Sequence, residues 1–313
     1  MKRREFIKSV GVAGVFTLLG TIRLYGSDPA KGGSPEGAGR SYSQAGENGL
    51  KGPFDIAFDP SGNLVVSDPP GYRVVRLDST NKEIGSVGGA GSEPGRLNFP
   101  KGLAVDSDGF TYVVDSNNCR VQVFSPDGNV KRVLGTVGSI GGSLATPQGI
   151  FLDAKGRALV ADTRNHRIQI FQGNTVVAII GELGDDKDQF RLPTASVATP
   201  EGEILVLDSK HGQVKVFGAD LKFKHSFGAV GKNPGEFNLP QGMALDDVGR
   251  VWVADTGNHR IQEFGPDGKL VSMVGKEGSG PREFKNPTGI ALREGKIYVA
   301  DNGNKRIQIL SKS

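Results

Sequence analysis

Hydrophobic residues in this chain come in short bursts separated by turn formers, and the bursts recur in groups of four. Residues 240–286 show one group in full. Pro240 leads into Gln241-Gly242-Met243-Ala244-Leu245, and Asp247-Val248-Gly249-Arg250 follows as a turn, with Gly where positive φ is needed. Val251-Trp252-Val253-Ala254-Asp255 is a second apolar run, and Thr256-Gly257-Asn258-His259 a second turn. Arg260-Ile261-Gln262-Glu263-Phe264 alternates polar and apolar positions, the period of a half-buried strand. Gly265-Pro266-Asp267-Gly268 reads as a hairpin turn and Leu270-Val271-Ser272-Met273-Val274 as a fourth strand. One group therefore predicts four short antiparallel strands, with no room for a helix.

The group is written six times. An Asp closing the second run recurs at Asp68, Asp115, Asp162, Asp208, Asp255 and Asp301, and a Pro ahead of the group at Pro53, Pro100, Pro147, Pro193, Pro240 and Pro287. The spacing is always 46 or 47 residues. A fixed long period means one unit stacked on copies of itself, and four-stranded units repeated radially form a β-propeller. The expected fold is all-β: a six-bladed propeller of four-stranded antiparallel blades over residues 39–313. The last group stops after its third strand, Arg306-Ile307-Gln308-Ile309-Leu310. Proteins avoid an open sheet edge, so an N-terminal strand at about Arg40 to Ala45 is expected to fill the gap and close the ring.

The turn after each Asp carries a family resemblance. Asp162-Thr163-Arg164-Asn165-His166-Arg167-Ile168 and Asp255-Thr256-Gly257-Asn258-His259-Arg260-Ile261 resemble the signature of NHL repeats. Asp115-Ser116-Asn117-Asn118-Cys119-Arg120-Val121 and Asp301-Asn302-Gly303-Asn304-Lys305-Arg306-Ile307 keep the Asp, Asn and Arg without the His. The first copy departs, with Asp68-Pro69-Pro70-Gly71-Tyr72-Arg73. The fourth departs most: His211-Gly212 replaces Asn-His, and Gln213 replaces Arg. The resemblance spans about residues 53–313. It implies a rigid disc that presents loops to proteins or ligands.

Composition changes the picture at the N-terminus. Lys2-Arg3-Arg4-Glu5-Phe6-Ile7-Lys8 resembles a twin-arginine export motif, and the apolar stretch Val10 to Ile22 suits a signal h-region better than a membrane span. Residues 1–26 are read as this signal and 27–38 as a flexible linker. The expected location is the periplasm or cell envelope, with membrane contact only through an uncleaved signal. The chain's net charge of +4 belongs to the signal: without residues 1–26, 33 positive and 33 negative residues remain. Nothing is left to attract nucleic acid. One Cys excludes an internal disulfide, a Cys-x-x-Cys-His haem site and an Fe–S cluster held by this chain alone.

Candidate chemistry sits on three layers of the repeat. The Asp ring, with Arg73, Arg120, Arg167, Arg260 and Arg306 five residues on in five copies, reads as a fold constraint in which carboxylates accept turn N–H groups and pair with Arg. His166, His211 and His259 fall on equivalent turns, too far apart to share a zinc ion, and Cys119 takes the His place in its own turn. The first strands start with Asp55, Gly102, Gly149, Ala195, Gly242 and Gly289, and Asp55 is the one charged member, hence the first choice for a channel-lining polar group. The long loops joining the copies carry Phe99, Phe190, Phe237 and Phe284, and the recurring Phe or Leu is read as a plug between blades. Beside them Arg96, Asp186, Arg191 and Arg282 are free to touch a partner.

The expected function is a non-catalytic binding scaffold for an envelope protein or small ligand, beside a redox complex of the kind many twin-arginine clients serve. No catalytic residue, metal ligand or cofactor is assigned. The second reading, a channel-site metal-dependent lyase or lactonase-like enzyme, is what related propellers imply. It requires His or paired carboxylates on the inner strands, where this chain has Gly, Ala and one Asp.

Overall fold

The computed structural model describes residues 49–311. Six antiparallel sheets follow one another, each a simple meander. Blade one comprises Ile56–Phe58, Leu64–Asp68, Arg73–Leu77 and Glu83–Gly88, and blade two Pro100–Val105, Thr111–Asp115, Arg120–Phe124 and Val130–Leu134. Blade three comprises Ile150–Leu152, Ala158–Asp162, Arg167–Gln172 and Thr175–Ile180, and blade four Pro193–Ala198, Ile204–Asp208, Gln213–Phe217 and Phe223–Phe227. Blade five comprises Gly242–Leu245, Val251–Asp255, Arg260–Phe264 and Leu270–Val274. Blade six has three strands among the described residues: Pro287–Arg293, Lys296–Asp301 and Arg306–Ser311. The closing strand expected near Arg40 to Ala45 lies outside the described residues.

Burial follows strand position. The second strands are buried end to end in blades one to five, because each is flanked on both edges and covered by a neighbouring blade on both faces. The fourth strand of blade five alternates half-buried and exposed residues, as a strand at the rim should. The second and third strands meet in a tight hairpin whose last pair is the motif itself: Asp115 opposite Arg120, Asp162 opposite Arg167, Asp255 opposite Arg260.

Each inter-blade loop is a folded unit rather than a slack connection. A parallel bridge joins its two limbs at Ala90 and Leu97, Leu183 and Phe190, Val230 and Phe237, and Glu277 and Phe284, and Thr136–Val137 pairs with Ser143–Leu144 in the same place. The second residue of each bridge is the plug. Leu97, Leu144, Phe190, Phe237 and Phe284 are all completely buried, and Leu50 fills the same role ahead of blade one. Burying one such side chain contributes about 2–3 kcal/mol. Phe99 is therefore not a plug: Leu97 takes that place, and Phe99 is 38 % exposed. Phe99 has φ of 57° and stands immediately before Pro100. The following proline disfavours the right-handed helical region there.

The ring is stitched side chain to backbone. The residue after the motif Asp, or a threonine beside it, donates to the carbonyl of the next blade's leading Pro. Ser116 reaches Pro147, Thr163 reaches Pro193 at 2.8 Å, Thr194 reaches Pro240 at 3.1 Å and Thr256 reaches Pro287 at 2.7 Å. The same stitch closes the circle, with Asn302 donating to Pro53 at 3.1 Å and Thr288 to Phe54 at 2.7 Å. Blade one has Pro69 where the donor should be. At that junction Asp55 reaches across instead, and its Oδ2 accepts the Leu103 N–H at 3.0 Å.

Candidate functional site

The hairpin motif builds one polar network in blades two, three, five and six. In blade five the fully buried Asp255 accepts the Asn238 backbone N–H on Oδ1 at 2.7 Å. Its Oδ2 accepts Arg260 Nε at 2.7 Å, Asn258 Nδ2 at 2.9 Å and Gln262 Nε2 at 3.1 Å. The remaining Arg260 nitrogens donate to the carbonyls of Lys232, Asn233 and Glu236 at 2.8–2.9 Å. Gln262 closes the net, donating to Glu236 O and accepting Gly235 N–H. The network thus supplies partners to loop backbone groups that no strand can reach. A buried carboxylate is costly unless paired and hydrogen-bonded, and four donors meet that demand. The equivalent Asp–Arg distances are 2.7 Å for Asp115–Arg120 and 2.8 Å for both Asp162–Arg167 and Asp301–Arg306.

Blades one and four hold their Asp differently. Asp68 accepts Gly52 N–H at 2.9 Å, but Arg73 Nε stands 3.6 Å away and its Nη1 turns to Glu83 at 3.2 Å. In blade four the cation beside Asp208 is Lys215, at 3.2 Å and almost wholly buried, from the position that glutamine holds elsewhere. Lys215 Nζ also donates to Gln189 O. His211 stands between two carboxylates, with Nδ1 2.6 Å from Asp208 and Nε2 2.9 Å from Asp185. Arg191 Nη2 meets Asp185 at 2.8 Å, and these bonds, Arg191 first and His211 second, pull the Asp185 pKa down to about 2.

The other two turn histidines cap backbone. His166 Nδ1 accepts the Leu192 N–H and His259 Nδ1 the Asn286 N–H, each at 3.1 Å. Cys119 Sγ lies 3.5 Å from the Thr146 N–H in the same role. Each steadies the residue just before the next blade's proline. Burial holds the His166 pKa below its usual value, which suits an imidazole that accepts on Nδ1. Among the described residues no three His, Cys, Asp or Glu side chains converge to hold a metal ion.

The loop face is polar and apolar by turns. Arg96, Asp186, Arg191 and Arg282 are all exposed on it, on three different loops. Between them stand bare hydrophobic side chains: Val137 at 77 % exposure, Ile140 at 75 %, Val230 at 65 % and Leu183 at 59 %. Val137, Leu183 and Val230 are the first residues of the loop bridges, so the bridge that buries one plug pushes its partner outward.

The six first strands enclose a central cavity of about 310 Å³. Asp55 is the one titratable side chain in its wall. Its carboxylate accepts the N–H groups of Ile56 at 2.9 Å and Leu103 at 3.0 Å, and burial still raises its pKa to about 7. One carboxylate with no histidine beside it does not fit a catalytic zinc centre, which takes three protein ligands.

Four segments, residues 97–124, 144–171, 237–264 and 284–310, match the family described as NHL repeat. They are the segments of blades two, three, five and six, the blades with the full network. The chain is an NHL-repeat six-bladed propeller. No curated protein matches it in sequence. Solved structures match the NHL propeller in shape. A virginiamycin B lyase from Staphylococcus aureus is 12 % identical, covers 88 % of this chain and 99 % of its own, and has a TM-score of 0.62. A gluconolactonase from Xanthomonas campestris is 15 % identical over 88 % of this chain and 90 % of its own, at a TM-score of 0.66. An auxiliary nutrient binding protein from Bacteroides thetaiotaomicron is 13 % identical over 84 % of this chain and 69 % of its own, at 0.64. At these identities the likeness shows the fold alone.

Sequence reasoning missed the motif glutamines of this NHL propeller, Gln122, Gln169, Gln262 and Gln308, all buried. The signal was present: each stands seven residues after its Asp, in the four full-network blades only. Lys215 holds that same position in blade four.

Proposed function

We propose that this NHL propeller is an exported binding scaffold that takes an envelope protein on its inter-blade loop face. The observation that carries the reading is the row of exposed Val137, Ile140, Leu183 and Val230 on loops held by the buried plugs, by the Asp–Arg–Gln networks of blades three and five and, at Leu183, by Lys215 and His211 of blade four. Rigid loops lose little entropy on binding, and apolar side chains rimmed by charge are what a protein interface uses. Arg96, Asp186, Arg191 and Arg282 supply the charged rim. Export by the twin-arginine route through Arg3 and Arg4 places the scaffold in the envelope, beside a redox assembly.

Affinity capture from the envelope fraction tests this, with the native chain compared against two variants. One carries Val137→Ser, Ile140→Ser, Leu183→Ser and Val230→Ser. The other reverses the charges of Arg96, Asp186, Arg191 and Arg282. Both should melt within a few degrees of the native chain, since exposed positions contribute little to stability. Both should lose the same captured partner. A partner held equally by all three chains would remove the loop face from the reading.

A further inference from the structure

We infer that the central cavity is a binding site for a small aliphatic ammonium compound, with its charged nitrogen at Asp55.

The wall of the cavity is built in rings, one residue from each first strand. One ring is Asp55, Gly102, Gly149, Ala195, Gly242 and Gly289, where blades come so close that a Cβ on Gly102 would stand 2.3 Å from Gln148 O. Asp55 alone puts a functional group into this ring. The next ring is Ile56, Leu103, Ile150, Ser196, Met243 and Ile290, all buried. Five members are large and apolar, and the sixth is a serine. Ser196 is the smallest member of that ring, and its hydroxyl is shut off from the lumen. Its Oγ is buried without a hydrogen-bond partner.

The chemistry selects the ligand class. Each Asp55 oxygen already accepts one backbone N–H and keeps a further lone pair for a ligand donor. The rest of the lining is apolar apart from Thr194, Ser196, Gln241 and Thr288, and it carries no positive charge. The nearest cation on the adjacent strand is Lys101, whose Nζ lies over the Phe54 ring at 5.3 Å and does not line the cavity. Burial lowers the Lys101 pKa, which weakens its competition for the same carboxylate. A volume of about 310 Å³ is at the small end for ligand pockets, which limits the guest to a short amine. Because burial raises the Asp55 pKa to about 7, a bound ammonium should favour the ionised carboxylate and release a proton on binding.

Isothermal titration of the full chain tests the inference with isopentylammonium, its neutral isostere 3-methylbutan-1-ol and the anion 4-methylpentanoate. The ammonium should bind at least about tenfold more tightly than the alcohol at pH 8, and the anion weakest. Its affinity should fall by roughly tenfold per unit as pH drops below 7. Asp55→Asn should erase the preference for the ammonium over the alcohol. If the Asp55→Asn chain fails to fold, the pH profile of the native chain decides. No saturable binding of isopentylammonium, a pH-independent affinity, or tighter binding of the anion would overturn the inference.

Discussion

Blade five and blade four have the same strands and the same buried aspartate, yet they neutralise it with different residues. In blade five Arg260 comes from the first position of the third strand, and Gln262 two residues later completes the net. In blade four the first position is Gln213, and Lys215 brings the charge from two residues further in. What the fold demands is therefore a buried acceptor for the incoming loop together with one cation to compensate it. The identity and position of that cation are free. Arg260 serves three loop carbonyls with its planar fork, whereas the Lys215 ammonium is a point charge that reaches Gln189 and Asp186. The opening this leaves at the surface is filled by His211, which ties Asp208 to Asp185 on the loop.

The largest effect should come from the regular blade. Asp255→Ala leaves Arg260 buried without its counter-charge and should cost about 3–5 kcal/mol in urea unfolding. A loss under about 1 kcal/mol would mean that the network is decoration. Asp55 gives the next largest effect, and it depends on pH. Its folded pKa is raised from 3.8 to about 7, so the folded state keeps a proton that the unfolded chain has released. That contribution is full below about pH 4 and is lost as pH climbs through 7. Asp55→Asn should remove about 2–4 kcal/mol of this decline between pH 4 and 8. Unfolding curves of the two chains that fall in parallel with pH would contradict it. Gln262→Ala should cost about 1–3 kcal/mol, because it strands the Gly235 N–H and takes one donor each from Asp255 and Glu236 O, while Gln213→Ala should stay within about 0.5 kcal/mol. The smallest effect belongs to His166. Its folded pKa is depressed, so its contribution is present above about pH 6.5 and is lost as pH falls through the folded value. His166→Asn keeps an acceptor for Leu192 N–H without the titration, and should lose less stability than the native chain between pH 7 and 5.

The period made the blade count and the strand order legible, because six copies of one pattern leave no other architecture. Side-chain direction inside the pattern was harder to read. Gln262 lies in an alternating run whose polar positions normally face solvent, and only the loop folding over the hairpin makes that face an interior. Lys215 was hidden for the same reason. Phe99 and Leu97 are two residues apart, and composition favours the aromatic as the plug. The backbone decides otherwise, since the residue before Pro100 must leave the helical region and turns its side chain out. The exposed row at Val137, Leu183 and Val230 was illegible because short apolar positions in Gly-rich loops look like any others until the parallel bridge sets which limb faces inward.

Double-mutant cycles on the two blades test the central claim most directly, namely that every blade compensates its buried Asp with one cation and that blade four has moved that cation. The account predicts coupling of about 2–3 kcal/mol for Asp255 with Arg260 and a similar value for Asp208 with Lys215. It predicts less than about 0.5 kcal/mol for Asp208 with Gln213. Equal coupling of Asp208 to Gln213 and to Lys215, or none to Lys215, would contradict it.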